Sequence, residues 1–472
     1  MALLIVVLSI LAGACITTTD SATERTSVVT ERASVVSTTE APQTEASTAP
    51  TGFRVSALAP TPGEGPLPEP VTAALARILS LQGIESVAEA DLAIVVDQGD
   101  PRVAWELSDA LRFAQRPDVR DELIVSVVEL TGVRLEGNAW TSLVNHLIAW
   151  DTPAAPGYAE RKQAMLGAID GRWLRLFEGG DTIDWRHVSW GGVFIDDRVE
   201  GATAPCPLGC IPALDSPPVT TADGGAWYPD DAIVFGLVVN GEARAYPKNQ
   251  MEVHEMVNDT LGGRRLGIPY CTLCGSAQAY LTDSVPDGFD RPVLRTSGLL
   301  IRSNKMMYDL VSGSLIDTFT GVATSGPLVQ AGVALEQIAV VASTWGDWKS
   351  AHPLTTIVAE DGGLGRDYPL DPLGDRDDDG PIFPIGETDP RLPVHEKVLG
   401  LVDGEGQAYA VQVVAAAAAI ATGQDVTVGP FAIILDGGLR AIDGDGNEVA
   451  SHEAFWFAWS QFHPETELWP DP

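Results

Sequence analysis

Two passages of this chain occur twice, in the same order. VFGLVVNGEARAY (residues 234–246) returns as VLGLVDGEGQAY (398–409), and WGDWKSAHPLT (345–355) returns as WFAWSQFHPET (456–466). The second pair fits W-x2-W-x3-H-P-x-T without a gap. Ordered recurrence of two motifs signals internal duplication, so the body is expected to fold as two related units. Each copy of the first passage reads as two short strands around a turn, at Gly241-Glu242 and at Gly404-Glu405. The tryptophans and the His-Pro pair stand in both copies and read as framework, an aromatic core with a helix end. On that ground His352 and His463 are expected to be structural rather than catalytic.

The copies are unequal. Gly241 to His352 spans 111 positions, whereas Gly404 to His463 spans 59. The shorter copy lacks EVHEMVND, YCTLCG and most of GLLIRSNKMMYD. Chemistry is therefore expected in the first copy only, on a frame that both share.

Ahead of the repeats the periodicity is helical. PVTAALARILSLQG places Val71, Leu75, Ile78 and Leu79 on one face, with Pro70 at the start and Gly83 as the stop. DPRVAWELSDALRFA repeats the plan with Asp100 as cap, and DVRDELIVSVVELTG and NAWTSLVNHLIAW follow after short connections. Nothing in this front carries chemistry, and His146 sits among core-spaced positions. The predicted fold class is α+β: an all-α N-terminal domain (61–180), then a β-rich, internally duplicated body with copies at 181–360 and 361–472.

The first residues, MALLIVVLSILAGAC, form a short apolar run that ends in small residues and Cys15. That is the shape of a bacterial lipoprotein signal, with Cys15 as the lipidated residue, although no basic residue precedes the run. Residues 16–60 are rich in Ser, Thr, Ala and Glu and too poor in large apolar side chains to offset ordering entropy, which suits a disordered tether. The expected location is extracytoplasmic, with the membrane reached through the N-terminal lipid only. A net charge of −36 with five lysines repels nucleic acid, which is excluded as a partner.

Four cysteines follow Cys15: Cys206, Cys210, Cys271 and Cys274. The C-x-x-C at 271–274 suits three uses. A redox dithiol needs one lowered-pKa thiol and a resolving partner. A metal knuckle needs a tight turn, which Gly275 would allow, and draws zinc or copper. A disulfide staple is the common use outside the cytoplasm. Cys206 and Cys210 can supply a second pair for a metal or close a disulfide. NQMEVHEMVND adds His254 and Glu255; on a helix, His254 and Asn258 would share a face, and the imidazole could serve as base or ligand. DRDDDG (375–380) has the Asp spacing that opens a calcium loop but lacks the acid at its twelfth position, and DGDGNE (443–448) is a poorer echo.

NGEARAYP, HEMVND, YCTLCGSAQAY, SGLLIRSNKMMYD, TWGDWKSAHP and FPIGETDPRLPVHEKVLG together resemble a bacterial and archaeal domain-of-unknown-function family, number 3179. The likeness covers roughly residues 180 to 400 and on toward the end. It implies a cysteine pair at Cys271 and Cys274, and because some members are described as selenoproteins it favours redox use. Thr272 stands where relatives usually have Pro. HEMVND matches the family's His-Glu-x-x-Asn-Asp element, and Cys210 fits some members better than Cys206 does.

The leading expectation is thiol–disulfide chemistry without a cofactor: Cys271 attacks, Cys274 resolves, His254 is the base and Glu255 orients it. The second is a metal site of Cys271, Cys274, His254 and Cys210. The third is a non-enzymatic envelope protein with structural disulfides.

Overall fold

The computed structural model describes residues 52–471 apart from 181, 207, 375 and 377–379. Cys15, the signal and the tether up to residue 51 lie outside the described residues, as do the aspartates of DRDDDG. Among the described residues the fold is α+β, with helices in the N-terminal region and five β-sheets in the body. No helix among the described residues is long and apolar enough to cross a membrane.

The helical front follows its sequence signals closely. Asp100 accepts the Arg102 N–H and starts a turn that leads into Ala104–Phe113, where Leu107 and Leu111 are buried. Pro117 opens Pro117–Thr131 and left-handed Gly132 closes it; Asn138 caps Ala139–Ala149 through the Thr141 N–H. One boundary differs. Gly83 does not stop the first helix, which ends at Ile78; Ser80 then caps a second short helix, Leu81–Glu85, by accepting the Gly83 N–H. His146 is buried, with Nδ1 on the Ser142 carbonyl and Nε2 beside the Ser56 hydroxyl.

The helices do not pack as a closed unit. Their core is continuous with Val188, Leu299, Met306, Tyr308 and Leu315 of a four-stranded sheet formed by Val188–Trp190, Leu294–Ile301, Asn304–Asp309 and Leu315–Asp317. The Leu294–Ile301/Asn304–Asp309 hairpin is thus held on one side by helices.

The two passages that recur in the sequence build two sheets of the same order. In the first, Val341–Thr344 pairs antiparallel with Ile233–Val239, which pairs antiparallel with Glu242–Pro247, which pairs parallel with Thr356–Val358. In the second, Ser451–Phe455, Lys397–Val402, Ala408–Gln412 and Glu467–Trp469 repeat those pairings in that order. The side chains correspond too. Trp348 Nε1 donates to Thr355 Oγ1 (2.9 Å) and Trp459 Nε1 to Thr466 Oγ1 (3.0 Å). His352 and His463 lie against those indoles at 4.1 and 4.3 Å between ring centroids. Each indole fills the space over a strand glycine, Gly236 or Gly400, where a Cβ would overlap the ring. That close approach explains a glycine inside each strand.

Between the two halves of the first sheet the chain inserts most of a six-stranded sheet and of the four-stranded sheet, which take one strand each from upstream, Leu214–Asp215 and Val188–Trp190. The second makes room only for Val413–Ala421 and a three-stranded sheet.

Candidate functional site

Cys271 ends the strand Arg264–Cys271, and the chain reverses at once. The Cys271 carbonyl accepts the Cys274 N–H at 3.2 Å, Gly275 takes φ +58°, and Ser276–Ala277 pairs back on Tyr270 and Cys271. The C-x-x-C is therefore a hairpin tip, and Gly275 is required by its left-handed backbone. Neither cysteine opens a helix, and the shifts in thiol acidity come from burial, neighbouring side chains and a local amide.

The two sulfurs are unbonded and 3.1 Å apart, with Cys271 1% and Cys274 0% exposed. A disulfide requires about 2.0 Å, so a small approach would join them. Around them lies a ring of groups from a second hairpin. Arg302 and Ser303 both have positive φ and form its tight turn, which presents Asn304 and Lys305. Cys274 Sγ lies 3.4 Å from Asn304 Oδ1 and 3.7 Å from the Ser303 carbonyl oxygen. Asn304 Nδ2 is buried without a partner among the described residues. Lys305, also buried, donates Nζ to the carbonyls of Glu255 and Tyr270 and sits 3.7 Å from Glu255 Oε2.

These contacts separate the two thiols. Burial alone would push Cys271 up; the hydrogen bond to Cys274 and the backbone N–H and ammonium of Lys305 outweigh it and hold Cys271 below the ordinary thiol range. Burial pushes Cys274 well up, and the neighbouring Cys271 sulfur adds to that. An acidic thiol beside a reluctant one is the asymmetry that an attacking and a resolving cysteine need.

A second lysine braces the tip from the related sheet. Lys397, the first residue of Lys397–Val402, donates Nζ to the Gly275 carbonyl at 2.5 Å while lying over the Phe455 ring. Phe455 N–H donates to the Cys274 carbonyl at 2.8 Å. The cysteines share a hydrophobic cluster with Val398, Trp456 and Trp459. Two of the five lysines thus converge on one loop in a strongly acidic chain.

Glu255 lies at the site and His254 turns from it. The helix Lys248–His254 ends at Glu255, whose φ is +53°, and a strand, Met256–Leu261, follows. The helical face expected to join His254 with Asn258 is therefore not formed: the left-handed residue between them breaks the helix. Glu255 Oε1 accepts from Thr272 Oγ1 at 3.0 Å. His254 is buried, with Nδ1 2.6 Å from the Pro212 carbonyl and Nε2 2.7 Å from Tyr368 Oη. Both ring nitrogens are engaged with groups other than the sulfurs, and burial pushes His254 down to about 4.

Cys210 is joined to Cys206 by a disulfide. In that state it has no thiolate for a metal, because its sulfur is already bonded. Asp196 lies beside this pair, the one cluster of three potential ligands among the described residues, but Arg198 and the Ala213 N–H occupy its carboxylate. Asp443 of DGDGNE turns its oxygens on its own loop, accepting from Asp445 and Asn447.

A cavity of about 200 Å³ adjoins the hairpin tip, bounded by Glu255, Thr272, Leu273, Lys305 and Arg376 among others. Arg376 Nη1 donates to Thr272 Oγ1 at 3.2 Å. Sequence reasoning missed Asn304, Lys305 and Lys397 as site residues. The one available signal was a lysine inside the strand-like run NKMMYD, where a charge needs a buried partner.

Fold and site define an α+β protein with a buried pair of thiols on a hairpin tip, gripped by lysines from two sides. The chain belongs to the family described as "Protein of unknown function (DUF3179)", which matches residues 208–442. No curated protein and no solved structure matches it.

Proposed function

We propose that this protein is a cell-envelope lipoprotein that carries out thiol–disulfide exchange at Cys271 and Cys274. The observation that carries the proposal is the unbonded, buried sulfur pair 3.1 Å apart with Lys305 beside it. Cys271, as thiolate, attacks one sulfur of a substrate disulfide; a mixed disulfide forms and the first substrate thiolate leaves. Cys274 gives its proton to that leaving thiolate and attacks Cys271 Sγ, releasing the second. The chain ends oxidised as Cys271–Cys274 and the substrate ends as two thiols.

Lys305 stabilises the thiolate in this scheme, and Glu255 anchors Lys305 and Thr272. The base role that the sequence suggested for His254 passes to no side chain in this scheme, because Cys271 is held below the ordinary thiol range. His254 instead fixes the Glu255 corner through Pro212 and Tyr368.

An oxidising location agrees with the Cys206–Cys210 disulfide, which would not persist in a reducing cytoplasm. Lipidation at Cys15 and a tether to residue 60 would hold the body at a membrane surface. The matching strand orders and Trp–Thr contacts support duplication of one ancestral unit, with the thiol chemistry in the first copy and the second copy bracing it through Lys397 and Phe455.

The test is turnover of a small aromatic disulfide by the full chain. Wild type consumes it with a reductant present, and Cys271→Ser does not, with an unchanged circular dichroism spectrum. Equal turnover in both would sink the proposal.

A further inference from the structure

Acids outnumber bases 65 to 29 in this chain, so a cation has carboxylates in excess to pair with. Among the described residues, Arg54, Arg134 and Arg291 are nevertheless the arginines and lysines that make no hydrogen bond, ion pair or ring contact. Two of them, Arg54 and Arg134, are exposed and border one cavity of about 610 Å³. That volume lies within the range of small-molecule sites, roughly 300–1,000 Å³. The cavity runs along one face of the helix Ala139–Ala149, between the chain at Phe53 and the segment at Pro381 and Ile382.

Its floor adds a neutral donor. Asn145 is 7% exposed, and its Oδ1 accepts the N–H groups of Ile385 and Gly386, which fixes the orientation of the amide. Asn145 Nδ2 holds no hydrogen bond among the described residues and is not occluded, so the amide offers its N–H to the cavity it lines. Asn138 caps the helix by accepting the Thr141 N–H, which sets the positive end of the helix at the same space. Glu136 is the one carboxylate among the described lining residues. Asp389, whose carboxyl feels the Arg54 charge, is already held by Arg391. Ile382 is 42% exposed and gives the cavity an apolar wall that is open to a ligand.

We propose that this cavity binds a small organic oxyanion, a carboxylate or a phosphate monoester. Its charged end meets Arg54, Arg134 and the Asn145 amide, and its apolar body lies on Ile382. The two guanidinia and the amide nitrogen are all donors and none is an acceptor. A guanidinium suits either oxyanion because its parallel N–H groups match two oxygens at once. A cation would face two guanidinia with only Glu136 to receive it. This site does not depend on the thiol chemistry.

The experiment is calorimetric titration of the full chain with phenylacetate, phenyl phosphate and benzylamine. At least one anion should saturate one site, the tighter of the two identifying the oxyanion, and benzylamine should bind at least about tenfold more weakly. Arg134→Gln should weaken the tighter anion by about tenfold or more, because a hydrogen-bonded charge pair is lost. Asn145→Asp keeps an acceptor for the Ile385 and Gly386 N–H groups but replaces the free N–H with a carboxylate oxygen, and should weaken the anion at least as much. Arg291 lies outside the cavity lining, so Arg291→Gln removes the same charge and should leave the affinity unchanged. Arg134 is exposed, so its replacement decides the matter even if Asn145→Asp does not fold. Saturable binding of neither anion, benzylamine binding as tightly as both, an affinity unmoved by Arg134→Gln, or equal losses in Arg134→Gln and Arg291→Gln overturns the proposal.

Discussion

The sheet around Trp348 and the sheet around Trp459 share strand order, a glycine under the indole, a threonine on its nitrogen and a histidine on its face. They differ in what is inserted between their strands and in what covers that face. The first carries the cysteine hairpin in its insertion and has its aromatic face closed by Gly437 and Gly438. The second carries no cysteine, braces the hairpin tip and has its aromatic face covered by Phe319, which leaves Trp459 buried. The contrast teaches that framework and chemistry occupy different layers of such a repeat, so a frame can be copied while its function is not.

If the tryptophans are equivalent framework, Trp348→Ala and Trp459→Ala should each cost about 3–5 kcal/mol, the usual loss for a buried aromatic. Urea unfolding monitored by far-UV dichroism reads this. A cost confined to one of the two would break the equivalence.

Lys305→Met tests the asymmetry between the copies. Losing the ammonium should raise the Cys271 thiol, and each unit of rise removes about tenfold of the thiolate present near neutral pH. The rate of alkylation against pH would show it; an unmoved profile would remove Lys305 from the thiolate's support.

Acid sensitivity should distinguish the sheets as well. His452 titrates near its ordinary 6.5 when unfolded and is pushed to about 3 when folded, by burial first and then by His463 and Lys397. The unfolded chain therefore binds the extra proton, so this contribution is intact above pH 6.5 and lost as pH falls toward 3. His452→Val, which installs the residue found at Val341, should remove one proton from the uptake on unfolding between those limits. An unchanged pH slope would contradict the assignment.

The smallest effect expected is from Thr355→Val and Thr466→Val. Each removes one indole hydrogen bond and should cost about 1 kcal/mol, with Thr355→Val the larger because that hydroxyl also donates to the Thr356 carbonyl at 3.1 Å. The reverse order would sharpen the comparison by locating where the copies have diverged.

Much of this frame was legible. W-x2-W-x3-H-P-x-T records contacts made within one helix and the strand after it, so short-range spacing preserves them. The thiol site was legible only in part. Cys271, Cys274 and Glu255 stand within nineteen positions of one another and are brought to one site, Glu255 through Thr272. Lys305 arrives through a turn made by two non-glycine residues in the left-handed region, Arg302 and Ser303, which no Gly or Asn announced. Lys397 comes from the other sheet, more than a hundred positions away. His254 looked catalytic because it adjoins Glu255, but the helix break at Glu255 turns the two side chains apart.

The most direct test of the dithiol proposal uses the full chain purified without oxygen or added chelator. Bound metals are measured by mass spectrometry, and thiols are titrated on the same sample before and after unfolding. The account predicts two thiols, assigned to Cys271 and Cys274, that cycle reversibly to a disulfide in the folded protein, with no metal masking them. One equivalent of metal on that pair, or a pair that neither oxidises nor reduces until the chain unfolds, would contradict it.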